Sequence, residues 1–393
     1  MTSSASPPML FVAFAAGGVV ALALERWWKN TKTRRGDVEE AQNMVWGAIS
    51  GAMAASQLYV GDRLDLYSAL RELGGKTTAL ELASKTKLNV RWLREWLAQQ
   101  ASFGVLTLAP GRGDEDANLA YAFATPAMAE VLADPESPAY DISLVQMVPS
   151  LVNRAKTMLP EAFRTGRGVA YDDKDVTEAI DRAHVKHIRD VVLPRVFPAA
   201  NGTSLLSMAG ARCADLGCGA GNFLLALARA FPRAAFDGYE VSDVPLAQCV
   251  HNIRASKLGN VAVKDARQHP LGDTRDLYDV VTTYDVLHDA PNPAELARQV
   301  KNALKPNGVW ILGDIAALDS TRANITNNPR AATYFAFSTC LCMACALSEP
   351  GGAGLGTLGF TIPVAMDILT TAGFTKVKVV LEQQNMRWFA VSH

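Results

Sequence analysis

The run Arg212-Cys213-Ala214-Asp215-Leu216-Gly217-Cys218-Gly219-Ala220-Gly221-Asn222 decides the fold. An apolar stretch, Leu205 to Met208 and again from Cys213, breaks into a glycine-rich turn. Phe223, Leu224, Leu227, Ala228 and Phe231 then recur at spacings of one, three and four, which is helical. Strand, tight loop and helix therefore follow one another. Glycines in such a loop let the backbone approach a ligand closely, and the helix start behind it offers unpaired N–H groups.

The spacing of the glycines selects the ligand. A dinucleotide loop reads G-x-G-x-x-G. Counting from Gly217 puts Asn222 at its third glycine, which disfavours an NAD-dependent oxidoreductase. The pattern present is D-x-G-x-G-x-G, with Asp215 two residues before the first glycine. An acid at that strand end repels a pyrophosphate and suits a cationic amino-acid moiety.

Downstream, Ala234 to Glu240 reads as a second strand ending in an acid that can accept both hydroxyls of a ribose. Val261 to Asp265 is a third strand, with Asp265 at its tip, placed to meet an adenine amino group. Tyr278 to Asp285 is a fourth and runs into Val286-Leu287-His288-Asp289. A helix over Glu295 to Leu304 leads to a fifth strand, Val309 to Leu312. The tail supplies a helix, Pro363 to Ala372, and two strands, Val377 to Leu381 and Arg387 to Val391, joined closely enough for an antiparallel hairpin. Alternating strands and helices predict an α/β, doubly wound, mostly parallel seven-stranded sheet with ligands at the strands' C-terminal ends.

Upstream, residues 36–145 read as a separate α-rich unit. Ala48 to Leu73 is helical and ends at Gly74-Gly75. Thr77 or Thr78 caps Ala79 to Lys85, with Glu81 placed for a capping box from Thr78, and Asn89 caps Val90 to Phe103, stopped by Gly104. Val105 to Leu108 and Ala120 to Phe123 are strands around the polar turn Gly111 to Asn118. Three helices and a hairpin make a winged-helix pattern. Arg91 and Arg94 on the third helix raise a DNA-reading role. Trp92, Leu93, Trp96 and Leu97 on the same helix form an apolar stripe that favours dimerisation instead. The net charge of -1 gives no footprint for nucleic acid.

Residues 146–200 join the two units, with a loop at Ala162 to Tyr171 and a helix over Asp175 to Val192. That helix carries His184 and His187, read as part of a polar face because no third metal ligand is evident. The 393 residues are 49% hydrophobic, enough for two or three domains. The boundaries read as 1–35, 36–145, 146–200 and 201–393. The six irregularly spaced cysteines suit reduced thiols rather than a disulfide framework.

Met9 to Leu24 is apolar and uncharged, near the lower length limit for a spanning helix. Trp27, Trp28 and the basic residues Arg26, Lys29, Lys32, Arg34 and Arg35 follow, which predicts a single-pass N-terminal anchor with the remainder cytoplasmic. A cleaved signal peptide, a mitochondrial or plastid targeting segment and a buried helix are the competing readings.

From the D-x-G-x-G-x-G loop to the last strand, the motif order resembles the class I S-adenosylmethionine-dependent methyltransferases. With the winged-helix unit and the segment Gly351-Gly352-Ala353-Gly354-Leu355-Gly356, the chain is similar to two-domain O-methyltransferases with a GGxGLG tail. The resemblance covers about 340 residues from about Gly47 onward. It implies S-adenosylmethionine as methyl donor, no metal, and cofactor contacts from Asp215, Gly217, Gly219, Glu240, Asp265 and Asp285. His288-Asp289-Ala290 stands where plant-type members have His-Asp-Trp, so the resemblance implies His288 as general base. Alanine in place of tryptophan departs from that pattern, and a histidine merely hydrogen-bonded at a strand end is the other reading.

A histidine near neutral pKa suits deprotonation of a hydroxyl as its oxygen attacks a methyl group. The expected function is therefore methyl transfer to a small molecule at oxygen. S-methylation of a small thioether acid and a non-catalytic cofactor-binding scaffold are the alternatives. Tyr334, Cys340 and Met343 in the apolar tail are expected to line the acceptor pocket, with Tyr171 and Arg167 orienting a polar or anionic end. Cys340, Cys342 and Cys345 lack the second pair that zinc requires. Gly351 to Gly359 reads as a mobile flap over the pocket.

Overall fold

The computed structural model describes residues 17–110, 119–383 and 385–393, with side chains from residue 36 onward. The first half of the expected anchor, residues 9–16, and the polar turn at 111–118 lie outside these residues, and the side chains of 17–24 are not described. Among the described residues no helix is long and apolar enough to cross a membrane.

Residues 1–55 and 56–393 are the two compact units of the chain. In the winged-helix region the helices Leu66–Glu72, Ala79–Thr86 and Val90–Phe103 pack with three short antiparallel strands, β1 (Lys76–Thr78), β2 (Leu106–Ala109) and β3 (Ala120–Phe123), in the order β1-β3-β2. The capping box forms: Glu81 N donates to Thr78 Oγ1 at 3.2 Å and Thr78 N to Glu81 Oε2 at 2.7 Å. The apolar stripe behaves differently from expectation. Leu93, Trp96 and Leu97 are buried in this region's own core with Tyr67 and Leu70, and only Trp92 of the stripe faces out, at 78% exposure. A stripe spaced at three and four is equally a core face, and here the hairpin and the preceding helices cover it.

The main sheet contains β4 (Arg212–Leu216), β5 (Ala235–Glu240), β6 (Val261–Asp265), β7 (Tyr278–Tyr284), β8 (Leu304–Ile315), β9 (Lys376–Gln383) and β10 (Met386–Ser392). Its order is β6-β5-β4-β7-β8-β10-β9, parallel except for β10, which runs antiparallel to both β8 and β9. The buried strand β7 sends side chains into two cores, Val280 and Tyr284 into one and Tyr278 and Val281 into the other, with a register irregularity between Tyr278 and Val280. Burial on both faces is what turns a parallel strand into a continuous apolar run. The chain order reverses at β4, so the crevice for a ligand opens beyond the C-terminal ends of β4 and β7.

The linker helix, Lys174–His187, continues into a wider π-helical stretch, Ile188–Val196. Pro194 lies in that stretch and has no N–H to give to a carbonyl one turn back.

The glycine-rich tail segment is a packed strap rather than a mobile flap. Ala353 N donates to the Pro291 carbonyl at 2.8 Å and Gly356 N to the His288 carbonyl at 2.9 Å. Gly356 sits at φ 71°, where a Cβ would run into the Ser338 hydroxyl. Gly356→Ala therefore combines left-handed strain with a clash, and should lower the urea-unfolding free energy by about 1–3 kcal/mol. Gly259→Ala meets no atom within 4 Å and should stay within about 0.5 kcal/mol of the parent.

Candidate functional site

The loop after β4 is built by its backbone. Gly217 takes φ 63°, and a Cβ there would lie 2.7 Å from a Val286 methyl, so the loop and the β7 turn touch through hydrogen. Gly217 N and Cys218 N both donate to the Tyr239 carbonyl, at 2.8 and 3.2 Å, which fastens the loop to β5. Glu240 accepts from Gly219 N at 3.0 Å with one oxygen and from Val241 N and Ser242 N at 2.8 and 2.9 Å with the other. Asp215 accepts from Thr282 Oγ1 at 2.7 Å.

Beyond these strand ends lies a cavity of about 450 Å³. Asp215, Gly217, Gly219, Glu240, Asp285, His288 and Tyr171 of the expected residues all border it. Asp265 is absent from that wall and instead binds Arg267 and Gln268 at 2.9 and 3.1 Å. Arg167, Tyr334, Cys340 and Met343 are absent as well, and Leu341, Cys342, Cys345 and Glu349 take their part of the wall. The linker loop explains Arg167. Gly168 and Val169 are hydrogen-bonded to the carbonyls of Leu347 and Ala344 at 2.9 and 2.8 Å, and Arg167 is left exposed. Cys340 points into a small core with Met147 and Leu151.

The linker helix brings residues that the sequence reading had placed on a polar face. His184 stacks on Tyr284, ring centroids 4.0 Å apart at 14°, and its Nε2 stands 3.8 Å from Asp285 Oδ2. His187 Nδ1 hydrogen-bonds the Tyr284 hydroxyl. Burial holds both imidazoles down at about 4, so both are neutral at pH 7. Asp181, one turn earlier, also borders the cavity. Two histidines three apart do share a face, but that face points inward.

His288 is 2% exposed and Asp314 fully buried. His288 Nδ1 lies 2.8 Å from Asp314 Oδ1, and the other Asp314 oxygen accepts from Leu287 N and His288 N at 3.1 and 3.3 Å. Burial alone would lower the His288 pKa. The charge of Asp314, the adjacent Cys342 and the hydrogen bonds to both override burial and hold it well above its ordinary value. The expectation of a near-neutral histidine is thus corrected. Asp314 was missed because the fifth strand was ended at Leu312. The signal was there: an acid inside the apolar run Val309 to Ile315 must be buried and must have a partner.

Seven carboxylates border the cavity (Asp181, Asp215, Glu240, Asp285, Asp289, Glu295 and Glu349) and no lysine or arginine does. Asp181 Oδ2 and Asp285 Oδ1 are buried without a hydrogen-bond partner. Burial is the main cause that pushes Asp181, Asp215 and Asp289 up to about 7, and it raises Glu240 too. Such a donor set fits a cationic ligand with further hydroxyl and amine donors, as a sulfonium-bearing amino acid joined to a nucleoside provides.

The sequence model of a family described as "Methyltransferase domain" matches residues 208–389. Residues 208–389, a little under half of the chain, thus match a methyltransferase domain. A curated relative, ubiquinone biosynthesis O-methyltransferase of Marinobacter nauticus, is 30% identical over 114 residues, covering 28% of this chain and 46% of the relative. The chain thus spans about half the length of the curated relative it matches. Among solved structures, human N-acetylserotonin methyltransferase in complex with S-adenosylmethionine aligns with TM-score 0.58 at 17% identity, over 90% of this chain and 97% of that one. Mitomycin 7-O-methyltransferase aligns with TM-score 0.58 at 21% identity, over 92% and 99%. At these identities the structures share the fold, and they share it across both the winged-helix region and the sheet.

The raised carboxyls make stability depend on pH in a stated direction. Asp181, Asp215 and Asp289 keep their protons to about pH 7 when folded and release them near the ordinary 3.8 when unfolded. Between those values the folded chain binds more protons, so raising the pH lowers its stability. The melting temperature of the ligand-free protein should fall from pH 5 to 7, and Asp289→Asn should flatten that fall. An Asp289→Asn curve parallel to the parent's would show that this carboxyl is not raised.

Proposed function

We propose that the chain transfers a methyl group from S-adenosylmethionine to a hydroxyl oxygen of a small molecule, with His288 as the base. The observation that carries this reading is the Asp314–His288 pair, set in the wall of the carboxylate-lined cavity directly beyond the β4 glycine loop. The cofactor, when bound, supplies an electrophilic methyl group on a sulfonium. Asp215, Gly217, Gly219 and Glu240 are the residues to hold it, and the unpaired carboxylates favour its positive charge over the neutral thioether left after transfer.

The protein's share of the chemistry is orientation, water exclusion and proton transfer. Neutral alcohols and phenols are poor nucleophiles, so the hydroxyl proton must leave as the oxygen attacks. Asp314 fixes the imidazole through Nδ1 and stabilises the imidazolium formed when the other ring nitrogen takes that proton. The apolar wall of Leu341, Ile180, Ile188 and Phe223 suits a small-molecule acceptor.

Calorimetric titration with S-adenosylhomocysteine should show binding that Asp215→Ala weakens, and NAD should show none. Given an acceptor found by a product mass shift, His288→Ala should cost about 10²-fold or more in kcat. Because the imidazole must be neutral to act and its pKa is raised, the rate should climb with pH on the alkaline side of 7. A flat profile with an active His288→Ala would instead favour a thioether sulfur, which has no proton to lose.

We further propose a homodimer formed through residues 36–145, with the N-terminal segment attached to a membrane. Support for the dimer is the exposure of Met44, Val45, Trp46 and Ile49, at 75, 61, 65 and 46%. Support for the anchor is the apolar run Met9 to Leu24 and its basic flank. Deleting residues 1–35 should move the protein from the membrane to the soluble fraction while sedimentation still gives a dimer. Retention on membranes would remove the anchor, and a monomer of the truncated chain would remove the assignment of the dimer to 36–145.

A further inference from the structure

The linker helix Lys174–His187 turns one face toward the cavity: Thr177, Ile180, Asp181 and His184 all border it. Spacings of three, one and three belong to a single helical face. Asp181 is the acid on that face. A Cβ built on Gly219 would stand 3.7 Å from Asp181 Oδ1, so the carboxylate lies over the middle glycine of the β4 loop. Val176 and Ala179, fully buried in a small core with Met147 and Leu151, hold the helix in that place.

Asp181 Oδ2 is buried and has no hydrogen-bond partner. An unpaired buried carboxylate oxygen is costly, so its presence calls for a partner from outside the chain. Arg182, the next residue, does not serve it. That guanidinium is absent from the cavity wall and holds Asp62 at 2.7 and 3.0 Å and the Tyr140 hydroxyl at 2.6 Å. The other acids around the loop are matched within the protein. Asp215 accepts from Thr282 Oγ1, and both oxygens of Glu240 accept from backbone N–H groups. Asp285 Oδ1 also lacks a hydrogen bond, but His288 Nδ1 stands 3.7 Å from it and His184 Nε2 3.8 Å from Oδ2. Asp181 has no ion pair among the described residues.

We propose that Asp181 is a cofactor-binding residue, its unpaired oxygen taking the α-ammonium at the amino-acid end of S-adenosylmethionine. The role deepens the S-adenosylmethionine reading of the cavity and rests on it. The chemistry that fits this oxygen is narrow. An ammonium brings N–H donors on a compact cation, which meets both the missing hydrogen bond and the missing charge. The sulfonium of the same ligand carries charge but no donor, and a ribose hydroxyl carries a donor but no charge. The ligand's own carboxylate would be repelled. A residue outside the matched segment 208–389 thereby completes the cofactor site.

Burial raises the ligand-free Asp181 carboxyl to about 7, so the test is run at pH 8, where it is ionised and an amino-acid ammonium still holds its proton. The full-length protein is titrated calorimetrically with S-adenosylhomocysteine and with 5′-methylthioadenosine, which keeps the nucleoside and thioether but lacks the amino-acid end. The parent should bind S-adenosylhomocysteine more tightly. Asp181→Asn keeps the shape and removes the charge. It should weaken S-adenosylhomocysteine about tenfold to hundredfold and leave 5′-methylthioadenosine within about twofold. The ligand-free melting temperature of Asp181→Asn should equal or exceed the parent's, because an unmatched buried charge is gone. A residue that merely supported the fold would lower the melting temperature and both affinities together. If Asp181→Asn does not fold, Asp181→Ser is read in the same way. Parent-like affinity of the variant for S-adenosylhomocysteine overturns the proposal, and so does an equal loss for both ligands. No binding of S-adenosylhomocysteine by the parent removes the S-adenosylmethionine reading itself, and this role with it, so the two failures are told apart.

Discussion

The carboxylate of Asp314 is the constraint on which the site depends. It sits near the end of β8 with no exposure, registered opposite Arg387 of β10. A charge there is tolerable only if every lone pair is used. One oxygen accepts from Leu287 N and His288 N, and the other faces His288 Nδ1 and accepts from Ile315 N at 2.7 Å. Those contacts fix the turn after β7, and the turn in turn receives the glycine strap through the carbonyls of His288 and Pro291. Removing one partner of a buried pair of this kind costs on the order of 3–5 kcal/mol. Strand, histidine turn and strap are thus one mechanical unit, and the imidazole's orientation is a consequence of how the core is satisfied.

The parts of this arrangement that announce themselves in sequence are those set by local rules. The D-x-G-x-G-x-G loop, the Thr78–Glu81 capping box and the Asn89 to Gly104 helix each depend on residues within a few positions of one another. They form where their spacing puts them. The succession of strands and helices was legible for the same reason, since continuous apolar runs separated by helices leave few ways to wind a sheet.

What escaped the sequence reading depended on which element lies across which. His184 and His187 have the spacing of a helix face, and only the packing of the linker helix over β7 turns that face inward against Tyr284. Cys340 and Cys342 are two residues apart, and a π-turn decides which one meets the cavity. Asp265 had the right position at a strand tip, but Arg267 and Gln268, close behind it, supply donors first. The apolar stripe on Val90–Phe103 could serve a core or an interface, and periodicity carries no information on which. The glycines at 351–359 were ambiguous in the same way. Close approach of two backbones and freedom of motion both select glycine, and here it is close approach.

The charge on the cavity wall follows from the same logic of satisfaction. Elsewhere in the sheet, buried acids are matched inside the protein: Asp237 by Arg212 and Lys264, and Asp279 by Lys305. At the strands' C-terminal ends the matching stops, and the acids are instead raised by burial or held by backbone N–H groups and Thr282. Protons retained by the raised acids, and the backbone N–H groups around Glu240, let the fold survive without a counter-charge there. It remains a debt of interaction that a cation can settle. A ligand with a fixed positive charge therefore gains more from this wall than its neutral product does, because an ionised carboxylate attracts the cation by more than the proton costs to release and has no such attraction for the product. The difference favours the reactant at entry and the product at exit. A wall matched by arginines would have no such asymmetry, which is why the missing counter-charge supports the proposed use of the site.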